Sequence, residues 1–207
     1  MYDHHIHFPD ITTCFFVDGL GGAGKTFLYN TLLATVRAEG GIALPVGIAL
    51  PVASSGIAAL LLEGGRTAHS RFQLPAVDNL SSTSNCNITK QSKEAELIRC
   101  ADLIIWDEAP MLNKHNFEAL DRTLRDITNI DDQPFGGKVV VMGGDFRQVL
   151  PVVLHGNPPQ VVNAALKKSR LWSYVKILRL HLNMRVQMLL QSGHTDNAAG
   201  NKILLLG

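Results

Sequence analysis

Three short stretches of this 207-residue chain hold the side chains whose types and spacing could do chemistry. The first, GLGGAGKT at residues 19–26, fits the spacing GxxxxGK[ST], in which small residues let the backbone wrap an anion with its N–H groups turned inward. Gly19, Gly21, Gly22, Ala23 and Gly24 would form the cradle, Lys25 would reach the terminal phosphates, and the Thr26 hydroxyl would ligate a magnesium ion. A nucleoside triphosphate is the natural guest of such a loop. The second stretch, LIIWDEAPM at 103–111, is an apolar run ending in two adjacent carboxylates. Asp107 would face the magnesium, and Glu108 would take a proton from the attacking water or orient it. The third, GGDFRQ at 143–148, sets an acid, a base and an amide behind a run of valines. Gln148 would touch the γ phosphate as donor and acceptor and so tell ATP from ADP. Asp145 and Arg147 either brace that sensor loop or form a local ion pair.

These groups can cooperate only if one scaffold brings all three loops to the same edge. Apolar runs at 14–18, 48–53, 103–107, 138–142 and 175–180 alternate with helical spacing at 25–38, 56–62, 93–100, 114–127 and 160–168. Near-continuous apolar strands separated by helices predict an α/β fold, a parallel sheet with helices on both faces. Trp106 is assigned to the core. The Ser-, Asn- and Thr-rich segment 75–92 predicts a long, mobile surface loop. GIALPVGIALPV at 41–52 writes one six-residue unit twice. The second copy leads into ASSGIAA and is placed in the sheet, with the first in an enlarged connection. Pro45 and Pro51 lack an N–H donor, which predicts an edge strand.

With 46% hydrophobic and 18% charged residues, the chain fits one globular domain. A net charge of +1 gives no global attraction for nucleic acid, so any such contact must come from a local patch. Cys14, Cys86 and Cys100 are scattered, which argues against a disulfide framework and a zinc site and for a reducing compartment. No stretch of about 18 apolar residues occurs and the first residues do not read as a leader, so no membrane contact is expected. His4, His5 and His7 are read as solvated residues of a terminus.

The segments FFVDGLGGAGKTFLY, ASSGIAALLLEGGRTAHSRF, ADLIIWDEAPM, PFGGKVVVMGGDFRQVLPVV and LHLNMR span residues 15–185. In content and order they resemble the petite integration frequency (Pif1-like) family of DNA helicases, and within it the helicase-like proteins of plants and Helitron-type transposons. The resemblance implies a RecA-like P-loop NTPase domain, the first motor domain of a superfamily 1B enzyme, with ATP and Mg2+ as cofactors. Such enzymes move 5′ to 3′ along single-stranded DNA and open duplexes, in repair, recombination and telomere maintenance. The resemblance further implies single-stranded DNA and duplex junctions as partners, a monomer, and a nuclear location with mitochondria as the alternative. It puts the 48–53 strand at the sheet edge and the phosphate-loop strand between the 138 and 175 strands.

On the same grounds the DNA contacts fall on Ser54, Ser55 and Gly56 and on Arg66, Thr67, His69 and Phe72. Hydroxyls and imidazole suit phosphates, Arg66 and Arg71 add charge, and Phe72 either stacks on a base or fills the core. Arg185 resembles the arginine that reaches the γ phosphate in the transition state, with a solvated side chain as the alternative. Two features depart from the family. Nothing before residue 14 matches its adenine-reading glutamine helix, and the family's second RecA-like domain is expected to be missing after residue 185. The expected organisation is a stub over 1–13, the motor domain over 14–186, and a divergent, disordered tail over 187–207. The competing readings are a truncated transposon-derived remnant that binds ATP or DNA without turnover, and an ATPase unrelated to nucleic acid.

Overall fold

The computed structural model describes residues 13–38, 47–153 and 156–191. The apolar runs become β1 (Cys14–Gly19), β2 (Ile48–Ala53), β4 (Ala101–Asp107), β5 (Val139–Gly144) and β6 (Val175–Leu180), joined by a two-residue strand β3 (Arg66–Thr67). All pairings are parallel and the order is β3-β2-β4-β5-β1-β6. The phosphate-loop strand β1 therefore lies between β5 and β6, as expected.

Both faces of the sheet are covered, and β4 shows why its run reads as continuously apolar. Successive strand side chains point to opposite faces. Ile104 and Trp106 enter one core with Phe72, Ile98, Phe117 and Leu120, while Leu103 and Ile105 enter the other with Tyr29 and Leu33. The first core lies under α3 (Ala68–Phe72), α4 (Lys93–Cys100) and α5 (Lys114–Thr128), and the second under α1 (Lys25–Ala38) and α2 (Gly56–Leu60). Trp106, with no exposed surface, is a core residue as assigned.

Three expectations need correction. First, the second copy of the repeat does fill β2, but β3 pairs with Val52 and Ala53, so β2 is an edge only along Ile48–Pro51. A strand of two residues carries no periodicity that could announce it. The first copy, at 41–46, lies outside the described residues. Second, segment 75–92 is a strap tied to α5 rather than a free loop. Cys86 is buried and its N–H donates to Thr123 Oγ1 at 3.0 Å, and Lys90 Nζ donates to Asn129 Oδ1 at 2.7 Å. Third, the helical spacing over 160–168 divides into α6 (Pro158–Ala164) and a 3-10 turn at Leu166–Lys168, because Ala165 between them is extended.

At the far end, α7 (Met184–Gln191) runs across the boundary expected after residue 186. Residues 1–12 and 192–207, which hold the rest of the expected stub and tail, lie outside the described residues. Among the described residues no helix is long and apolar enough to cross a membrane, and no group of three His, Cys, Asp or Glu side chains could hold a metal.

Candidate functional site

A parallel sheet delivers the carboxyl ends of all its strands to one rim. Here Asp18 pairs with Gly144, and Trp106 pairs with Met142, so the loops after β1, β4 and β5 open side by side. After β1 the chain turns through residues 20–24 into α1, whose first residue is Lys25. Gly22 and Gly24 hold φ of +86° and +90°, the left-handed region where a side chain is strained. Lys25 Nζ donates to Gly19 O at 2.7 Å and to Leu20 O at 3.2 Å, so its ammonium sits over the loop's own carbonyls. A cleft of about 500 Å³ opens here, lined by Gly21, Lys25, Thr26, Asp107, Glu108 and Arg185 among others.

Asp107, at the end of β4, is only 4% exposed. Burial pushes its carboxyl up to about 6; the Glu108 N–H, donating to Oδ1 at 2.9 Å, pulls the other way, the Glu108 charge adds to the rise, and Lys25 opposes it. A desolvated carboxylate opening on a phosphate cleft is a ligand suited to a divalent cation. The residues therefore fit a magnesium ion, with Thr26 on the same cleft. Glu108 itself adopts φ 52°, ψ 36°, a left-handed conformation that costs a non-glycine residue about 1–2 kcal/mol. Such strain persists where surrounding structure holds it, commonly at functional positions.

Gln148 reaches the phosphate loop. A Cβ built on Gly21 would lie 3.2 Å from Gln148 Nε2, so the Gln148 amide packs against the middle of the loop. Its backbone is set by a turn in which the Gln148 N–H donates to Asp145 O at 3.1 Å. Asp145 Oδ1 accepts from both the backbone N–H and Nε of Arg147, at 3.0 and 3.1 Å. Burial pushes the Asp145 carboxyl up, but those two bonds and the charges of Arg147 and Lys25 outweigh it and hold it below the usual range. The acid and base are thus an ion pair that closes the turn carrying Gln148.

On the other side of the loop, the Arg185 N–H donates to Gly22 O at 3.3 Å, and a Cβ on Gly22 would lie 3.1 Å from Arg185 Cβ. Asn183 joins it: Nδ2 donates to Gly21 O at 3.4 Å, while Oδ1 accepts the Val186 N–H at 3.2 Å in the first turn of α7. The sequence reading passed over Asn183, although an Asn just before a helical run is a capping signal. It also passed over Tyr29, fully buried on α1, whose hydroxyl would lie 1.5 Å from a Cβ on Gly143. Nothing in the residue pattern distinguished Tyr29 from an ordinary core aromatic.

The residues expected to touch DNA occupy the other end of the same rim. Ser54 Oγ accepts from the Trp106 indole at 3.1 Å, Ser55 Oγ caps α2 by accepting the Ala58 N–H at 3.2 Å, and Thr67 Oγ1 caps α3 by accepting the Ser70 N–H at 3.2 Å. Each hydroxyl keeps its own hydrogen to donate, which is the polarity a phosphate requires. Gly56 is exposed with open space around it, and Arg66 is exposed. Burial lowers the His69 pKa and so favours a neutral imidazole. Phe72 is the correction: it is fully buried, its ring 5.8 Å from Trp106, because as the last residue of α3 it lies four positions after buried Ala68, on the same core-facing side. It cannot stack on a base.

The PIF1-like helicase family model matches residues 6–204 of the chain. An ATP-dependent DNA helicase Pif1 of Psychrobacter sp. is 30% identical over 183 residues, covering 88% of this chain and 26% of its own length. ATP-dependent DNA helicase PIF4 of Trypanosoma brucei is 33% identical over 138 residues, covering 65% of this chain and 16% of its own. Among solved structures, Bacteroides Pif1 bound to ssDNA superposes with a TM-score of 0.67 at 27% identity, covering 84% of this chain and 39% of that one. The chain thus spans well under half the length of the relatives it matches. With the six-stranded parallel sheet, the phosphate loop and the match along nearly all of its length, the chain belongs to the PIF1-like helicase family.

Proposed function

We propose that this chain is the nucleotide-binding lobe of an ATP-dependent DNA helicase that moves 5′ to 3′ on single-stranded DNA and opens duplexes at junctions. The observation that carries the reading is the meeting of Lys25 and Asp107 on one cleft, with Gln148 packed against Gly21 of the same loop. The cradle and Lys25 bind the phosphates of ATP, and Thr26 and Asp107 would hold a magnesium ion, which when bound supplies positive charge to the phosphate oxygens. Glu108, held beside Asp107, accepts the proton of the attacking water. Gln148 reads the γ phosphate and passes its presence through the Asp145–Arg147 turn, and Arg185 adds charge from α7. A Bacteroides Pif1 structure in complex with ADP-AlF3 and ssDNA supports a nucleotide and a single strand being held together in this family.

The single strand crosses the rim at Ser54, Ser55, Gly56, Arg66, Thr67 and His69, on hydroxyl and imidazole donors with charge from Arg66. The protein works as a monomer and in the nucleus, with mitochondria as the second location, and the resemblance of its motif segments supports the plant and Helitron-type branch. ATP hydrolysis measured with and without oligothymidylate tests the reading. Turnover that rises with the oligonucleotide is the expected result. Binding of nucleotide without turnover returns the remnant reading, and turnover indifferent to DNA excludes the helicase reading.

A further inference from the structure

The sheet's outer edge carries a second polar cavity, of about 220 Å³, far from the nucleotide. It is lined by Arg66 and Arg71, by Ser70 and Gln73, and by Lys93 and Glu94 on α4. Four strand spacings separate β3 from β1, on the order of 19 Å. The cavity nevertheless belongs to the same rim. Arg66 pairs with Val52 near the carboxyl end of β2, and α4 runs straight into β4, so its first turn points back toward that edge.

Charge and hydrogen bonding both ask for an anion. Three cations face one carboxylate, and among the described residues none of Arg66, Arg71 and Lys93 has an acidic partner within 4.0 Å. Arg71 Nε is buried with no hydrogen-bond partner, a donor left unsatisfied. Burial, and then the neighbouring Arg66 charge, lower the Arg71 pKa, so a negative group between the two would relieve both. The lining has no aromatic face, so a base gains nothing there, whereas a planar guanidinium beside an ammonium suits a phosphate.

We propose that Arg66, Arg71 and Lys93 form a phosphate pocket that takes one backbone phosphate of a single strand beyond Ser54, Ser55 and Thr67. Recognition of a strand rests on the DNA-track reading above; recognition of the phosphate group does not. Lys93 is the new element, since it extends the track off the sheet and onto a helix that the family's quoted segments leave out.

Binding of a fluorescent oligothymidylate to the intact chain, measured by anisotropy over a salt series, tests the pocket. Arg71→Gln with Lys93→Gln should weaken binding about tenfold at low salt and flatten the slope of log K against log salt by about 0.7, the value of one lost phosphate on a single strand. Arg71→Lys should keep the slope and lose part of the affinity, because it retains charge but not the planar donor pair. The variants should melt cooperatively and no lower than wild type, since Arg71→Gln removes a buried donor that has no partner. Unchanged slope and affinity in the double variant overturn the pocket while leaving the DNA-track reading in place. If the wild type binds no oligonucleotide at any salt, that reading fails instead, and NMR of the Arg71 Nε–H during titration with inorganic phosphate decides the pocket. A shift of that resonance keeps it as a free-anion site, and no shift overturns it.

Discussion

On the proposed function, the two ends of the sheet's carboxyl rim hold phosphate in different ways. At β1, β4 and β5 the work falls to backbone conformation: two left-handed glycines, a lysine folded over the loop's carbonyls and a buried carboxylate at a strand end. At β2 and β3 it falls to side chains with structural duties as well, since Ser55 and Thr67 each cap a five-residue helix. The first end has one purpose per residue and tolerates little change. At the second end each hydroxyl is bound into local structure, so loss of the proposed DNA contact and loss of a helix cap would arrive together.

Substitutions can break that contrast, and the largest effects belong to the nucleotide end. Lys25→Ala should weaken ATP binding roughly a hundredfold, about 3 kcal/mol, in an equilibrium titration. Glu108→Gln should keep binding and slow hydrolysis by about 10²–10⁴-fold, and normal turnover in that variant would remove Glu108 from the role of base.

Next comes Phe72→Ala, which should cost about 3–5 kcal/mol in denaturant unfolding while leaving DNA affinity unchanged below the melting transition. The opposite pattern would restore Phe72 to the DNA track.

Asp107 sharpens the contrast through pH. Its carboxyl rises from 3.8 to about 6 in the fold, so the native state binds more protons than the unfolded chain between those values, and stability falls as pH climbs through them. Two pKa units correspond to about 3 kcal/mol. In metal-free buffer Asp107→Asn should therefore melt above wild type at neutral pH, with the gap closing below about pH 4, while magnesium-dependent nucleotide binding is lost. A gap independent of pH would contradict the desolvation account.

The smallest effect is expected for Ser55→Ala: about 1 kcal/mol of stability from the lost cap, with a modest drop in oligonucleotide affinity. A stability loss without any change in DNA binding would make Ser55 a cap and nothing more.

Much of this was legible in the sequence because the nucleotide end is built from chain punctuation. Glycines, an apolar run and the residue after it are local signals, so Lys25, Thr26, Asp107 and Gln148 could be numbered without coordinates, and the bounds of α1 and α4 were read as they stand. What escaped depends on distant neighbours. Phe72 reads as exposed or buried only once Trp106 and α5 are placed beside it, and the strap at 75–92 looks like a free loop until Cys86 meets Thr123. Lys93 is an ordinary first-turn lysine until the fold brings it to Arg71. Polar residues of a loop or strap carry no periodicity from which such partners could be inferred.

On the proposed function, Gln148 senses the γ phosphate across the loop formed by Gly21, Gly22 and Gly24. Isothermal titration of Gln148→Ala with ADP and with a non-hydrolysable ATP analogue tests it most directly. Affinity for the triphosphate should fall about tenfold or more with ADP affinity unchanged, as for a lost hydrogen bond to a charged group. Equal affinities to wild type for both nucleotides would contradict it.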